Sequence, residues 1–319
     1  MLMALLVICS CGRASTAAPQ LRVVATISPL ADWARQVGRE RVVVTQLVPT
    51  GVDPQNYTLS EADKRALAQA DIVLLNGLGL EPWLMGALAD APRPELRMLE
   101  LGQYVGPASV RRQVAVRVPI EGSSKEQDDV TRNQDRVVYT PSVPSPYLWL
   151  SPGPDMAQKS VLLISDIFTL AQPDHVLFYR RNAEQYNGQL ENLDNWIRRQ
   201  IELWPRIRVG DKSVLAMQAS DRSWHYFAQR YGINLRTTAS LKAINPPLPP
   251  TTPLFIDPFL GDAERLRLVG LRQPDGVLHP LSDDQYIDLI KTNVQTMTLG
   301  VQRAARAVPK EPSGVLNTP

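Results

Sequence analysis

The sequence is poor in the residues that most often carry catalytic chemistry. Of its 319 residues, two are cysteine and three are histidine. Both cysteines lie within the first eleven residues, so neither a disulfide nor a thiol nucleophile can operate in the rest of the chain. The chain also lacks a Gly-x-Ser-x-Gly elbow, a phosphate-binding Walker loop and a His-Glu-x-x-His pair. These absences favour a protein that is not an enzyme.

Charge and hydropathy argue against a nucleic-acid-binding protein and against a membrane-spanning one. The 34 basic and 32 acidic residues nearly balance, and no block of five or more basic residues occurs, so we expect no nucleic-acid partner. No run approaches the eighteen or more apolar residues of a membrane-spanning helix. The hydrophobic content of 44% supports well-filled cores, and 319 residues are enough for two domains of ordinary size.

The first residues, MLMALLVICSC, predict export and lipid attachment. The apolar run ending at Cys9-Ser10-Cys11 resembles a bacterial lipobox, in which cleavage precedes Cys11 and lipid is attached to its sulfur. The segment is short and lacks the usual basic region. A Cys-x-Cys metal site is the alternative, but it would have to lie within a targeting segment. We expect residues 1–20 to be a signal and tether that anchor an exported protein in the periplasm or at the cell surface.

Strand and helix patterns alternate along the first part of the chain. Two β-branched runs, Val23–Ile27 and Val42–Leu47, are each followed by a helical pattern, and the apolar run Asp71–Leu75 comes next. This alternation predicts βαβ units and a parallel sheet. The loop from Pro49 to Tyr57 then extends beyond the carboxyl end of a strand, where open parallel sheets place their ligands.

Capping residues set the predicted helix boundaries. The expected N-caps are Ser28, followed by Pro29, then Ser60, Asp174 and Ser282, and two more helices are expected over Glu81–Leu88 and Pro154–Ala171. After Asp174, apolar residues recur every three or four positions to Ile201. They predict one amphipathic helix of roughly 42 Å.

The second half repeats the strand and helix pattern. Its predicted elements are strands Ser213–Met217, Asn234–Thr237, Leu254–Asp257 and Gly276–Leu278, and helices Arg222–Tyr231 and Ala263–Leu271. The stretch AINPPLPPTTP between them cannot be helical, because proline lacks the backbone N–H and clashes with the preceding turn. The residues from about 103 to 144 have no apolar periodicity and predict a solvated loop.

Five segments stand in the order known from one family: ATISPLADWARQVG, LVPTGVDPQNY, ADIVLLNGLGLEPWL, YLWLSP and YFAQRYGI. On these segments the chain resembles the zinc- and manganese-binding solute-binding lipoproteins of bacterial ABC importers. The resemblance implies an α/β protein of two lobes, each with a parallel sheet flanked by helices, joined by one long rigid helix. An ordinary amphipathic surface helix would show the same apolar stripe, so the joining role depends on the resemblance.

The resemblance also divides the chain. The expected parts are a leader and tether at 1–20, an amino-terminal lobe at 21–172 with the irregular loop at about 103–144, a linking helix at 173–204, a carboxyl-terminal lobe at 205–308 and a disordered tail at 309–319. It implies a monomer whose partner is an ABC permease in the membrane.

In this family a divalent cation lies between the lobes, and the four ligand positions fall on Gln55, Tyr147, Asp221 and His279. None carries the family's usual residue. Gln55 and Tyr147 replace histidines: an amide oxygen is a weak neutral ligand, and a phenol with a reference pKa of about 10 binds metal only after losing a proton. Asp221 replaces His or Glu and His279 replaces Asp, and both types of side chain can ligate zinc or manganese.

These changes predict an atypical or weakened metal site. His225, one helical turn after Asp221, could face the same cation, although a histidine there more often packs beside Tyr226. The alternative hypothesis is a paralogue that keeps the scaffold without the metal and binds another small solute or acts as a surface interaction protein. The loop at about 103–144 contains no histidine, which counts against a zinc specialist.

Overall fold

The computed structural model describes residues 19–89, 93–105, 145–209, 212–220, 222–237, 252–261 and 273–306. The strands in these ranges are β1 (Leu21–Ala25), β2 (Val42–Gln46), β3 (Ile72–Leu75), β4 (Arg97–Glu100), β5 (Ile207–Val209), β6 (Lys212–Ala219), β7 (Ile233–Thr237), β8 (Leu254–Ile256) and β9 (Gly276–Val277). The α-helices are α1 (Ser28–Gly38), α2 (Glu61–Gln69), α3 (Leu84–Ala89), α4 (Ala157–Ala171), α5 (Val176–Glu202), α6 (His225–Tyr231) and α7 (Tyr286–Arg306).

Two parallel sheets organise the described chain. The first has the order β2-β1-β3-β4, with every neighbouring pair parallel. In the second, β6, β7, β8 and β9 are joined by parallel pairs, and β5 adds an antiparallel pair to the start of β6. All four residues of β3 are buried, which is typical of a parallel strand covered on both faces. The predicted α/β class is confirmed.

The helix α5 is the longest described element. Its 27 residues span about 40 Å, close to the predicted length. One face is buried and carries Tyr179, Asn182, Ala183, Tyr186, Leu190, Leu193, Asp194, Ile197 and Ile201. This face contacts α1 and α4 from the first half of the chain and α7 from the second. A single apolar cluster runs from β1 and β3 to β6 and β8, so both sheets share one continuous core.

A buried carboxylate on α1 holds three helices together. Asp32 is 7% exposed and accepts hydrogen bonds from the hydroxyl of Tyr186 at 3.0 Å and from the backbone N–H of Tyr286 at 3.2 Å. The Tyr286 N–H lies in the first turn of α7, where helix donors have no intrahelical acceptor. The Trp33 ring packs edge-on against Tyr286 at a centroid distance of 5.0 Å. Asp32 therefore fixes the start of α7 against α1 and α5.

Of the two N-caps predicted for helices that flank the first sheet, one is confirmed and one is wrong. The Ser60 hydroxyl accepts from the Asp63 backbone N–H at 3.2 Å, and the Asp63 carboxylate accepts from the Ser60 N–H at 2.7 Å, forming a capping box. Ser28 instead lies inside α1, and the extended residue at the N-cap is Ile27, whose carbonyl accepts the first helical bond from Ala31 at 3.1 Å.

The other predicted helix starts also differ from the structure. Asp174 lies within a 3-10 turn, Pro173–His175, so His175 is the N-cap of α5. The Ser282 hydroxyl accepts from the Asp284 N–H at 3.2 Å and does not cap α7, which begins at Tyr286. The helices expected from Glu81, Pro154 and Arg222 begin at Leu84, Ala157 and His225. A hydrogen-bonded turn precedes each of the last three helices.

Several predictions fall outside the described residues: the lipobox with Cys11, most of the loop at about 103–144, the helix Ala263–Leu271, the tail at 309–319 and Asp221. Among the described helices, none is both long enough and apolar enough to cross a membrane.

A second buried carboxylate joins α5 to α6. Asp194 accepts from Nε and Nη2 of Arg230, each at 2.8 Å, and from the hydroxyl of Tyr231 at 2.6 Å. A Cβ on Gly153 would lie 2.1 Å from the Arg230 guanidinium carbon, so a larger residue there would displace the guanidinium from its place against Asp194. Burial by itself raises the pKa of Asp194, but the bonds from Arg230 and Tyr231 and the charge of Arg198 outweigh it, and the pKa lies below its ordinary value.

We expect Asp194→Asn to destabilise the protein by about 3 kcal/mol at pH 7, because it leaves Arg230 with its ion pair broken. Urea unfolding measures the loss, and Glu191→Gln, an exposed carboxylate on the same helix, should change stability by less than about 0.5 kcal/mol. The native pKa is lowered, so the Asp194 contribution is complete above the unfolded-state pKa and is lost as the pH falls through the native one. A deficit that stays constant into the acid range would contradict this assignment.

Candidate functional site

Residues 145–151, called the central loop here, connect the strand ends of the second sheet. The Ser145 hydroxyl donates to the Arg222 carbonyl at 3.2 Å, beyond the end of β6. The Trp149 indole N–H donates to the Pro280 carbonyl at 2.7 Å, just after β9. The Tyr286 hydroxyl donates to the Trp149 carbonyl at 2.5 Å. The central loop is therefore bonded to the segments that follow β6 and β9.

The first sheet holds the other side of the central loop. Asn76 directly follows β3 and is 1% exposed. Its side-chain amide donates to the Pro146 carbonyl at 2.7 Å and to its neighbour Gly77 at 3.0 Å. The central loop is thus bonded to loops at the carboxyl ends of strands from both sheets, which is where parallel sheets bind ligands.

A buried glutamate fixes Asn76 in place. Glu81 accepts from the Thr26 hydroxyl at 2.6 Å, from the Asn76 N–H at 2.9 Å and from the Gly77 N–H at 3.0 Å. Thr26 follows β1, so the carboxylate joins the ends of β1 and β3. Burial raises the pKa of Glu81 despite these hydrogen bonds, which favour the ionised form. The glycine-rich turn Gly77–Pro82 is therefore closed by its own Glu81 carboxylate.

Gln55 lies on the loop after β2. It occupies a 3-10 turn, Pro54–Asn56, whose N-cap Asp53 accepts from the Gln55 N–H at 3.0 Å. The turn is held to the first sheet by Trp83, whose indole donates to the Pro54 carbonyl at 2.7 Å. The Gln55 side chain is exposed. At its other end the same loop reaches the second half of the chain, where the Thr50 hydroxyl donates to Asp283.

Tyr147 and His279 lie on two segments that are bonded to each other. Tyr147 is half-buried at the start of the 3-10 turn Leu148–Leu150, and its ring centroid is 5.1 Å from that of Trp149. His279 is exposed, and its backbone exchanges two hydrogen bonds with the side-chain amide of Asn293, at 2.7 and 2.8 Å. The Trp149–Pro280 bond places these segments side by side.

Asp221 lies outside the described residues, but its neighbours are well held. The Ser220 hydroxyl accepts from the Asp257 N–H at 2.8 Å, and the Arg222 carbonyl accepts from Ser145. His225 is half-buried with its ring 5.4 Å from that of Tyr226, and burial and then the Arg222 charge lower its pKa. This contact is the packing role predicted as the alternative to a ligand role.

The described residues contain no cluster of three or more His, Cys, Asp or Glu side chains that could hold a metal. Any site at the four predicted positions therefore combines the carboxylate of Asp221 with one imidazole, one amide oxygen and one phenol. Neutral imidazole and carboxylate suit divalent transition metals, and the two oxygen groups weaken the site for zinc.

Sequence reasoning missed the residues that build the site. Asn76, Glu81, Asn293 and the buried Trp149 were not predicted to hold its loops. The paired glycines at 77 and 79, both with positive φ, were the one local signal of a special turn.

The two sheets, the long helix that contacts helices of both halves and the strand-end loops joined at the central loop define a two-lobed α/β binding fold. The chain belongs to the family described as "Zinc-uptake complex component A periplasmic", which it matches over residues 23–252.

Named relatives and solved structures are similar to it. The manganese-binding lipoprotein MntA of Bacillus subtilis is 30% identical over 232 residues, which is 71% of this chain. The chain spans 64% of the length of that relative. The high-affinity zinc uptake system protein ZnuA of the same organism is 24% identical over 242 residues, covering 74% of this chain and 68% of the relative. The periplasmic zinc binding protein TroA from Treponema pallidum shares the fold, with a TM-score of 0.65 at 19% identity over 89% of this chain and 99% of that one.

We expect Glu81→Gln to destabilise the protein by about 1–3 kcal/mol. The carboxylate now accepts hydrogen bonds from two backbone N–H groups, and the amide would place an N–H donor opposite one of them. Urea unfolding measures the effect. The exposed Glu184→Gln is the control, with an expected change below about 0.5 kcal/mol. Equal stability of the two variants would show that the Glu81 carboxylate does not hold the turn.

Proposed function

We propose that this protein is the substrate-binding component of a metal-cation ABC importer and that it captures a divalent cation, zinc or manganese, between its two lobes. The observation that carries the proposal is the central loop, which joins the segments bearing Tyr147 and His279 to the carboxyl ends of strands from both sheets. The names of the relatives, manganese-binding and zinc-uptake proteins, support the choice of cargo.

Gln55, Tyr147, Asp221 and His279 are the proposed ligands. Asp221 and His279 supply the stronger donors from the second sheet, and Gln55 and Tyr147 add oxygens from the first sheet and the central loop. His279 is exposed on a rigid backbone, so its ring can turn toward a cation without moving the chain. The protein acts by capture and delivery to a membrane permease, without covalent chemistry.

The division of the chain follows from this function. We propose an amino-terminal lobe at 21–172, a linking helix at 173–204 and a carboxyl-terminal lobe at 205–308, with the cation held where the two lobes meet. The long α5 packs on helices from both halves, which supports a rigid link and a small relative motion. We propose that the protein acts as a monomer.

We further propose that the protein is exported and anchored to the membrane through lipid on Cys11. The lipobox-like Ile8-Cys9-Ser10-Cys11 supports this, as do relatives that carry the name lipoprotein. The second candidate function is that of a paralogue whose altered ligands no longer hold metal and whose scaffold binds another solute or a protein. The replacement of all four usual ligand residues favours that candidate.

Metal titration separates the two candidates. For the form starting near Gly12, we expect Zn²⁺ or Mn²⁺ to raise the unfolding temperature. At a hundredfold excess of metal over Kd, binding adds about 2.7 kcal/mol to the free energy of unfolding. Fe²⁺ is titrated in parallel. Asp221→Ala and His279→Ala should abolish the shift, whereas His175→Ala, which removes an imidazole bonded to Arg41 at 2.8 Å, should keep it. No shift with any metal would support the paralogue.

Lipid attachment is tested by Cys11→Ser. We expect the unaltered chain to enter the membrane fraction of a bacterial host and the variant to leave it, because the thioether-linked lipid is lost. Cys9→Ser is the matched control and should stay membrane-bound. An unaltered distribution in Cys11→Ser would contradict the anchor.

A further inference from the structure

The turn between α4 and α5 exposes large apolar side chains. Leu170 is 69% exposed and Leu177 is 75% exposed, and Val176 between them is 37% exposed. They flank the 3-10 turn Pro173–His175 at one end of the two helices. Single exposed leucines are ordinary, but a group of them at one tip marks a contact surface. Residues 170–177 are called the apolar turn here.

The described chain begins beside this turn. The Pro19 carbonyl accepts from the side-chain amide of Gln172 at 2.8 Å. Gln20 then donates to the Glu40 carbonyl at 2.7 Å, and Arg41 of the same segment lies 2.8 Å from the ring nitrogen of His175. The tether that carries Cys11 therefore joins the folded chain at the apolar turn.

The length of the tether limits how far the anchor can lie from this turn. Seven residues lie between Cys11 and Pro19, so eight Cα–Cα steps join them, and a fully extended chain of that length spans at most about 29 Å. A lipid on Cys11 thus keeps the bilayer within about that distance of Pro19, which is bonded to Gln172 of the apolar turn.

We propose that the apolar turn contacts the surface of the lipid bilayer when the protein is anchored through Cys11. The inference rests on the anchoring part of the proposed function. Leu170 and Leu177 enter the headgroup region, as the apolar residues of interfacial segments do. Their small area makes the contact weak and reversible.

The charges around the turn do not select an anionic surface. Arg180 pairs with Asp166 at 3.7 Å, and Asp174 lies within the turn itself, next to His175, whose ring nitrogen is 2.8 Å from Arg41. Basic and acidic groups nearly cancel, so apolar burial carries the contact. We expect it to be as strong on zwitterionic as on anionic lipid.

The contact leaves the proposed cation site accessible. Pro19 precedes β1, whereas the central loop bonds to Asn76 beyond the end of β3, which runs parallel to β1. These points lie at opposite ends of the parallel strands of the first sheet. The proposed cation site therefore lies at the end of the sheet that is far from the apolar turn.

The chain provides a matched control position. Leu203 is 77% exposed and follows the other end of α5, 26 residues from Leu177 and about 39 Å away along the helix. Because no cysteine occurs after Cys11 and the Cys11 sulfur is blocked by lipid, Leu177→Cys and Leu203→Cys each carry one free thiol.

The test uses the full lipidated chain on phosphatidylcholine vesicles. Each variant carries an environment-sensitive fluorophore on its thiol, and a fraction of the lipid carries a spin-label quencher at the headgroup. We expect a blue shift and several-fold stronger quenching at position 177 than at 203, with Leu170→Cys behaving like 177. Adding phosphatidylserine should leave the ratio unchanged. Equal quenching at 177 and 203 on vesicle-bound protein would overturn the inference.

Mass spectrometry of Cys11 and vesicle flotation separate this failure from failure of the anchor. Absence of lipid on Cys11 would overturn both the anchor and the membrane contact. Cation capture, measured by the metal-dependent unfolding shift, would stand in either case. Lipid on Cys11 with equal quenching would overturn the membrane contact alone.

Discussion

A chain of buried hydrogen bonds holds the site, and the rest of the structure depends on it. Glu81 fixes Thr26 and Asn76 at the ends of β1 and β3, Asn76 holds Pro146, and Trp149 on the same loop holds Pro280 near the end of β9. These groups are withdrawn from water, so each must keep its partner or cost the full desolvation of an unpaired polar group. The two sheets are therefore held at one place, and the loops that follow their strands can present side chains to a common ligand.

The helices provide the rigidity around this point. Asp32 and Asp194 are both buried, and they join α5 to α1, α7 and α6. Two carboxylates in one core fix directions that apolar packing alone leaves free, because a hydrogen bond requires a defined geometry. A long helix held at several points joins the helices of both halves into one packed unit.

The four proposed ligand positions carry an unusual combination of side chains. At the four proposed positions the second sheet carries Asp221 and His279, whereas the first sheet and the central loop carry Gln55 and Tyr147. Asn293, Trp149 and Asn76 hold the backbones of the segments around these positions.

The sequence by itself determined the α/β class, most strand positions, the long helix and the Ser60 capping box, because these follow from local periodicity and from side chains three residues apart. It misplaced the starts of α1, α5 and α7. It also did not identify Glu81 as a buried acceptor of hydrogen bonds from backbone N–H groups. The tertiary structure decided the start of α7 and the position of the central loop, because their partners are distant in sequence: Tyr286 is capped by Asp32 from 254 residues away, and Trp149 reaches Pro280 across 131 residues. The convergence of the site loops follows from the same long-range bonds, which no local pattern encodes.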